Sequence, residues 1–128
     1  MNEIEKKDIK EIEETVRKYL DGVIKGEYEK VVEAWHKEGI RVINEPETGK
    51  IVYQNSPASV EYANYKPNPA IKQEGTIEKI DNSGKAASVT VKWLLEGEMF
   101  KGTCTDYLLL LKEKEKWIIT AKVSNKDF

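Results

Sequence analysis

Asp106 is the residue that most needs a reason. It stands in Thr105-Asp106-Tyr107-Leu108-Leu109-Leu110-Leu111, a run with the composition of a β-strand. Asp is disfavoured in strands and is rarely buried without a partner. It is therefore either a structural aspartate accepting hydrogen bonds or the marker of a pocket. Tyr19 belongs to the series Ile9, Ile12, Val16, Tyr19, Leu20, Val23, Ile24, whose three- and four-residue spacing predicts one buried helix face. Its hydroxyl is then either a packed group with one satisfied bond or a donor into a cavity. His36 is the single imidazole. It can serve as a general base or orient a ligand, and it can equally close a helix by bonding the last carbonyls. Trp35, Trp93, Tyr62 and Phe100 supply aromatic area that is either core or the wall of a flat cavity binding a small, apolar or planar ligand.

The remaining chemistry is narrowed by what the chain lacks. One histidine and one cysteine rule out a multi-histidine or cysteine-cluster metal site. There is no phosphate-binding glycine loop, Ser/His/Asp arrangement or nucleotide fingerprint, so no cofactor is expected. Cys104 cannot form an internal disulfide and reads as a small buried hydrophobe. With 21 Lys and Arg against 23 Asp and Glu, interspersed along the chain, there is no basic footprint for nucleic acid. No apolar run approaches a membrane span, and the N-terminus has no apolar signal region, which reads as a cytoplasmic protein with no membrane partner.

These residues must be positioned by a small number of elements. A chain of 128 residues fits one domain, 1–128, with a core of its own. The helical face predicts a first helix over roughly residues 3–25, ended by Gly26. A second helix carries Tyr28, Val31, Val32 and Trp35, with Gly39 as its C-terminal cap. Ile40–Ile43 reads as a strand turning at Glu45-Pro46-Glu47-Thr48-Gly49, with Ile51–Tyr53 pairing back. Ser56-Pro57 predicts the start of a third helix through Val60, Tyr62 and Ala63. From Ile71 onward the period is two, predicting strands at Gln73–Asp81, Ala86–Glu96, Phe100–Lys112 and Trp117–Asn125. The fold class is α+β: three N-terminal helices packed on one face of a curved, mostly antiparallel sheet.

The final hairpin predicts which way its side chains point. A turn at Glu113–Lys116 pairs Lys112 with Trp117, Leu110 with Ile119, Leu108 with Ala121 and Asp106 with Val123 on the inward side. Leu109, Leu111, Tyr107, Thr120 and Lys122 then face outward. Asp106 is left opposite an apolar residue, without Lys122 as a neighbour. An inserted residue would exchange the two sides beyond it. The outward side is too apolar for free solvent and too polar for a core, which suits a symmetric homodimer through the sheet.

Val16-Arg17-Lys18-Tyr19-Leu20-Asp21-Gly22, Ala34-Trp35-His36, the Asp106 strand, Lys116-Trp117-Ile118-Ile119 and Lys122-Val123 come in an order that resembles the nuclear transport factor 2-like superfamily. Within it the chain is most similar to the lumazine-binding branch of small bacterial proteins. The resemblance implies a cone-shaped, cystatin-like fold with a long helix closing a pocket, and commonly a homodimer. It implies two functions: small-molecule binding, or a cofactor-free isomerase, cyclase or dehydratase of the ketosteroid-isomerase-like kind. In the second, a protonated Asp106 and Tyr19 would stabilise a developing enolate, and Glu45 stands roughly where such members place a base. Glu45 also reads simply as part of an exposed turn. A third possibility is an interaction module whose cone is filled by its own side chains. Fold membership does not choose among these.

Overall fold

The computed structural model describes residues 2–59 and 66–127. The chain runs α1 (Glu3–Lys25), α2 (Tyr28–Ala34), β1 (Trp35–Asn44), β2 (Ile51–Asn55), β3 (Lys72–Asn82), β4 (Ala86–Gly97), β5 (Phe100–Glu113) and β6 (Lys116–Asp127). The six strands form one curved sheet in the order β2-β1-β6-β5-β4-β3. Every pairing is antiparallel except β1 with β6, which is parallel.

The long helix forms where the pattern places it. Asn2 caps it, its side chain accepting from the Glu5 amide at 2.8 Å. Gly26 ends it in the left-handed region at φ 70°, a conformation that costs a residue without Cβ little. The inward face of α1, comprising Ile12, Val16, Tyr19, Leu20 and Val23, is buried. It packs on Val89, Val91, Trp93, Leu108, Leu110, Trp117 and Ile119 of the sheet to make the core. Arg17 fastens α1 to β3, its guanidinium donating twice to the Gly75 carbonyl at 2.9 and 3.2 Å.

The expected second helix and its cap are corrected in the N-terminal half. The second helix stops at Ala34, and Trp35 and His36 open β1 instead of closing the helix. Gly39 is accordingly not a helix cap. A Cβ placed there would stand 2.8 Å from the Thr120 carbonyl and 3.1 Å from Trp35, so glycine is required by close approach of β1 to β6. The described residues contain two helices, not three. Ser56 does begin a turn, its hydroxyl accepting from the Ala58 amide at 3.0 Å, but Val60, Tyr62 and Ala63 lie outside the described residues.

In the C-terminal half the strands match the two-residue period to within two residues at each end. The β5–β6 turn places Lys114 and Glu115 at φ 49° and 67°, the paired positive angles of a tight hairpin. Lys112 faces Trp117, as counted from the turn. The ladder then slips: Leu110 pairs with Ile119, but Leu109 pairs with Ala121, leaving Thr120 as a bulge. Beyond it Leu108 faces Lys122, Tyr107 faces Val123 and Asp106 faces Ser124. Thr120 sits where β1 also leaves the ladder, between Trp35 and Ile40, so the two irregularities lie side by side at Gly39.

Candidate functional site

The bulge decides what surrounds Asp106. Past Thr120 every β6 residue is turned to the other side, which sends Lys122 and Ser124 inward and Val123 outward, half exposed. The expected Asp106–Val123 pairing is therefore wrong, and so is the outward placing of Lys122. Asp106 is 2% exposed and is ringed by donors. Its Oδ1 accepts from Ser124 Oγ at 2.6 Å and from Cys104 Sγ at 3.4 Å. Its Oδ2 accepts from Trp93 Nε1 at 2.8 Å and lies 3.8 Å from Lys122 Nζ. A buried carboxylate is stable only with such a complement. With every neighbour donating, Asp106 acts as an acceptor and has no direction left in which to offer a proton.

Lys122 Nζ continues the chain of polar contacts by donating to the Tyr19 hydroxyl oxygen at 3.0 Å. Tyr19 in turn sets its ring edge against Trp35, with centroids 5.5 Å apart. Burial is the largest influence on Lys122 and works against its charge. Attraction to Tyr19 and then to Asp106 outweighs burial, so the amine is held above the ordinary lysine value. Cys104 goes the other way in reactivity. Burial, followed by the charge of Asp106 and its hydrogen bond, pushes the thiol up to about 12, which makes it an inert packing group.

These groups line a cavity of about 170 Å³ between α1 and the sheet. Tyr19 and Val23 come from one face of α1, Trp93 and Leu95 from β4, Cys104 and Asp106 from β5, and Lys122, Ser124 and Lys126 from β6. Gln73 and Arg41 complete the lining from β3 and β1. Cavities for drug-sized ligands run about 300–1,000 Å³, whereas one of about 150 Å³ admits a benzene ring. The space suits a single ring with a polar substituent.

Of the residues singled out from sequence, Asp106, Tyr19 and Trp93 meet here. Trp35 stands behind Tyr19 and is not part of the lining. Phe100 lies at the start of β5, 37% exposed, away from the cavity. Tyr62 lies outside the described residues. His36 points elsewhere: its Nδ1 accepts from the Glu38 amide at 3.1 Å, and it lines a separate groove of about 430 Å³ with Leu111, Ile118 and Thr120 on the opposite side of the sheet. The reason is local. His36 belongs to a strand, and strand neighbours alternate faces, so the residue after buried Trp35 faces outward. Glu45 sits in the β1–β2 turn, accepting from Thr48 Oγ1 at 2.9 Å, as an ordinary turn carboxylate does.

Sequence reasoning missed Lys122, Ser124, Lys126, Arg41 and Gln73. For the first three a signal existed: an aspartate with no partner in the unbroken register asks for a slip, and a slip by one residue brings donors to it. Among the described residues no group of three or more His, Cys, Asp or Glu side chains could hold a metal ion, and no helix is long and apolar enough to cross a membrane.

Solved structures share this architecture. An NTF2-like protein of unknown function from Shewanella baltica is 19% identical, with a TM-score of 0.75 over 100% of this chain and 98% of that one. A ketosteroid isomerase-like protein from Erwinia carotovora atroseptica is 14% identical, with a TM-score of 0.70 over 98% of each. A hexachlorocyclohexane dehydrochlorinase from Novosphingobium barchaimii is 11% identical, with a TM-score of 0.72 over 94% of this chain and 87% of that one. At these identities the likeness is one of fold. Among curated proteins none matches the chain. Residues 7–124 match the family described as "Putative lumazine-binding". The chain belongs to that family, and its fold is the one seen in the NTF2-like structures.

Proposed function

We propose that the protein binds a small, largely planar molecule in the cavity between α1 and the sheet, with Tyr19 as the group that orients it. The observation that carries this reading is the contact between Lys122 and Tyr19. The phenol oxygen accepts from the ammonium at 3.0 Å, so its own proton is left to donate, and the adjacent charge strengthens that donor. Val23, Trp93 and Leu95 give the apolar walls. A ring bearing one carbonyl or carboxylate oxygen satisfies both parts. The description of the family and the names of the structural neighbours support a small-molecule ligand in general.

The isomerase or dehydratase reading shares the donor but lacks a base. Among the described lining residues the carboxylate is Asp106, whose acceptor positions are filled, and Lys122 is held as a cation. No imidazole reaches the cavity, because His36 is on the other face. Binding without proton transfer is the better-supported function.

The same sheet carries a second surface. Tyr107, Leu109, Leu111 and Val123 are each about half exposed and adjacent through the β5–β6 register. Such a patch suits an isologous contact with a second copy of the chain. The homodimer predicts a sedimentation mass of two chains at micromolar concentration, and a one-chain mass for Leu109→Glu. Wild type sedimenting as one chain would refute it.

Binding is tested by thermal shift with single-ring, fused two-ring and four-ring carbonyl compounds. The single-ring compounds should shift the wild type most, and Tyr19→Phe should lose most of that shift. Equal shifts for wild type and Tyr19→Phe would remove Tyr19 from the site. No shift with any compound would count against the cavity as a binding site.

A further inference from the structure

We propose that the ligand of this cavity is an anion, a single ring bearing a carboxylate, and that Lys126 is the residue that selects for its charge. The inference rests on the binding reading above and deepens it. Asp106 and Lys122 at the floor form a pair 3.8 Å apart, whose charges cancel as seen from a ligand. Lys126 comes next but one after Ser124 on the same inward side of β6, directly across from Cys104. It lines the cavity, is partly exposed, and enters no ion pair among the described residues. Its backbone is fixed, the amide donating to Asn44 Oδ1 at 2.8 Å, so the side chain springs from a defined point at the rim.

Among the described residues the lining sets Lys122 and Lys126 against one carboxylate, Asp106, with Arg41 at its β1 side. The positive field reaches the floor: Lys126 acts to lower the Cys104 thiol and Arg41 acts to lower the Lys122 amine. A neutral ligand would leave the charge of Lys126 without a counter-charge among the described residues. A carboxylate compensates it while accepting the Tyr19 proton. Lys126 on β6 and Tyr19 on α1 line the same cavity, one supplying a counter-charge and the other a hydrogen-bond donor.

The test compares benzoate with benzamide, which match in shape and differ in charge, by calorimetry at low ionic strength. Wild type should bind benzoate about fivefold more tightly, the size of one partly exposed ion pair, and added salt should narrow the gap. Lys126→Gln should bring the two affinities together, and Lys126→Arg should keep them apart. Because Lys126 is partly exposed, both variants are expected to fold, which circular dichroism checks. Equal affinities in wild type, or a preference that survives Lys126→Gln, would overturn the charge selection while leaving small-molecule binding intact. Absence of binding by both compounds would overturn the two readings together.

Discussion

Lys122 Nζ stands 3.8 Å from Asp106 Oδ2 inside the sheet's concave face, although straight counting from the hairpin turn puts the two residues on opposite sides. Thr120 is the cause. One extra residue in β6 turns Lys122 and Ser124 inward, and the buried carboxylate acquires the donors without which it could not be buried.

This pair predicts an asymmetric cost on mutation. Asp106→Ala leaves Trp93 Nε1, Ser124 Oγ and the Lys122 ammonium without their acceptor, and should destabilise by about 3 to 5 kcal/mol. Lys122→Met leaves Asp106 with three other donors and should cost about 1 to 3 kcal/mol. In a double-mutant cycle by urea unfolding, the combined variant should lose less than the sum. Strict additivity would mean the two charges do not interact.

Gly39 holds the bulge in place by letting β1 approach the Thr120 carbonyl. Gly39→Ala puts a methyl 2.8 Å from that oxygen, against backbone that cannot step aside as a side chain would. A loss of about 1 to 3 kcal/mol is expected, as for overpacking elsewhere. Gly39 is not among the glycines at positive φ, so the loss is one of close contact and not of backbone strain. A neutral Gly39→Ala would place the close approach in doubt.

A third polar contact ties the start of α1 to the last hairpin. Asp8 Oδ1 accepts from Lys112 Nζ at 3.0 Å and from Trp117 Nε1 at 3.2 Å. The Lys112 hydrogen bond, then that of Trp117, holds the Asp8 carboxyl below its ordinary value. The hydrogen bond to Asp8, acting against burial, holds the Lys112 amine above its own. A lowered carboxyl stabilises the fold above the unfolded value near 3.9 and loses that contribution as pH falls through the folded value. A raised amine stabilises below about 10.4 and loses its contribution as pH rises through the folded value. The melting temperature of wild type minus that of Asp8→Asn should therefore form a plateau between about pH 5 and 9, shrinking on both sides. A difference independent of pH would show that the contact is not ionic.

Cys104 offers a check on the cavity floor. With the thiol near 12 and buried at 8% exposure, a thiol-exchange reagent at pH 8 should leave the native protein unmodified over minutes. The same reagent in concentrated urea should titrate one thiol per chain. Stoichiometric reaction of the native state would mean the floor is open to solvent.

How far the sequence carries can be read from particular elements. The α1 face, the Gly26 stop, the four long strands and the Lys112–Trp117 register follow from local signals: a 3.6-residue period, a two-residue period and turn chemistry. Asp106 facing inward with Leu108 and Leu110 follows as well, because β5 is regular along its length. Trp35 and His36 were misplaced because a strand entered directly from a helix carries no turn residue to announce it.

What the chain determined by itself is thus the first helix, the four long strands and the identity of one buried carboxylate. Which residues meet that carboxylate was decided only in the tertiary structure. A bulge breaks the ladder at a single position and leaves little mark on local periodicity, since Ile119-Thr120-Ala121-Lys122-Val123 alternates acceptably in either register. The choice is made by contacts between strands distant in sequence. Gly39 admits the Thr120 carbonyl, and buried Asp106 demands Ser124 and Lys122. Desolvation of a charge is a penalty that exists only once the core has closed around it, so the register that relieves it cannot be fixed by either strand alone.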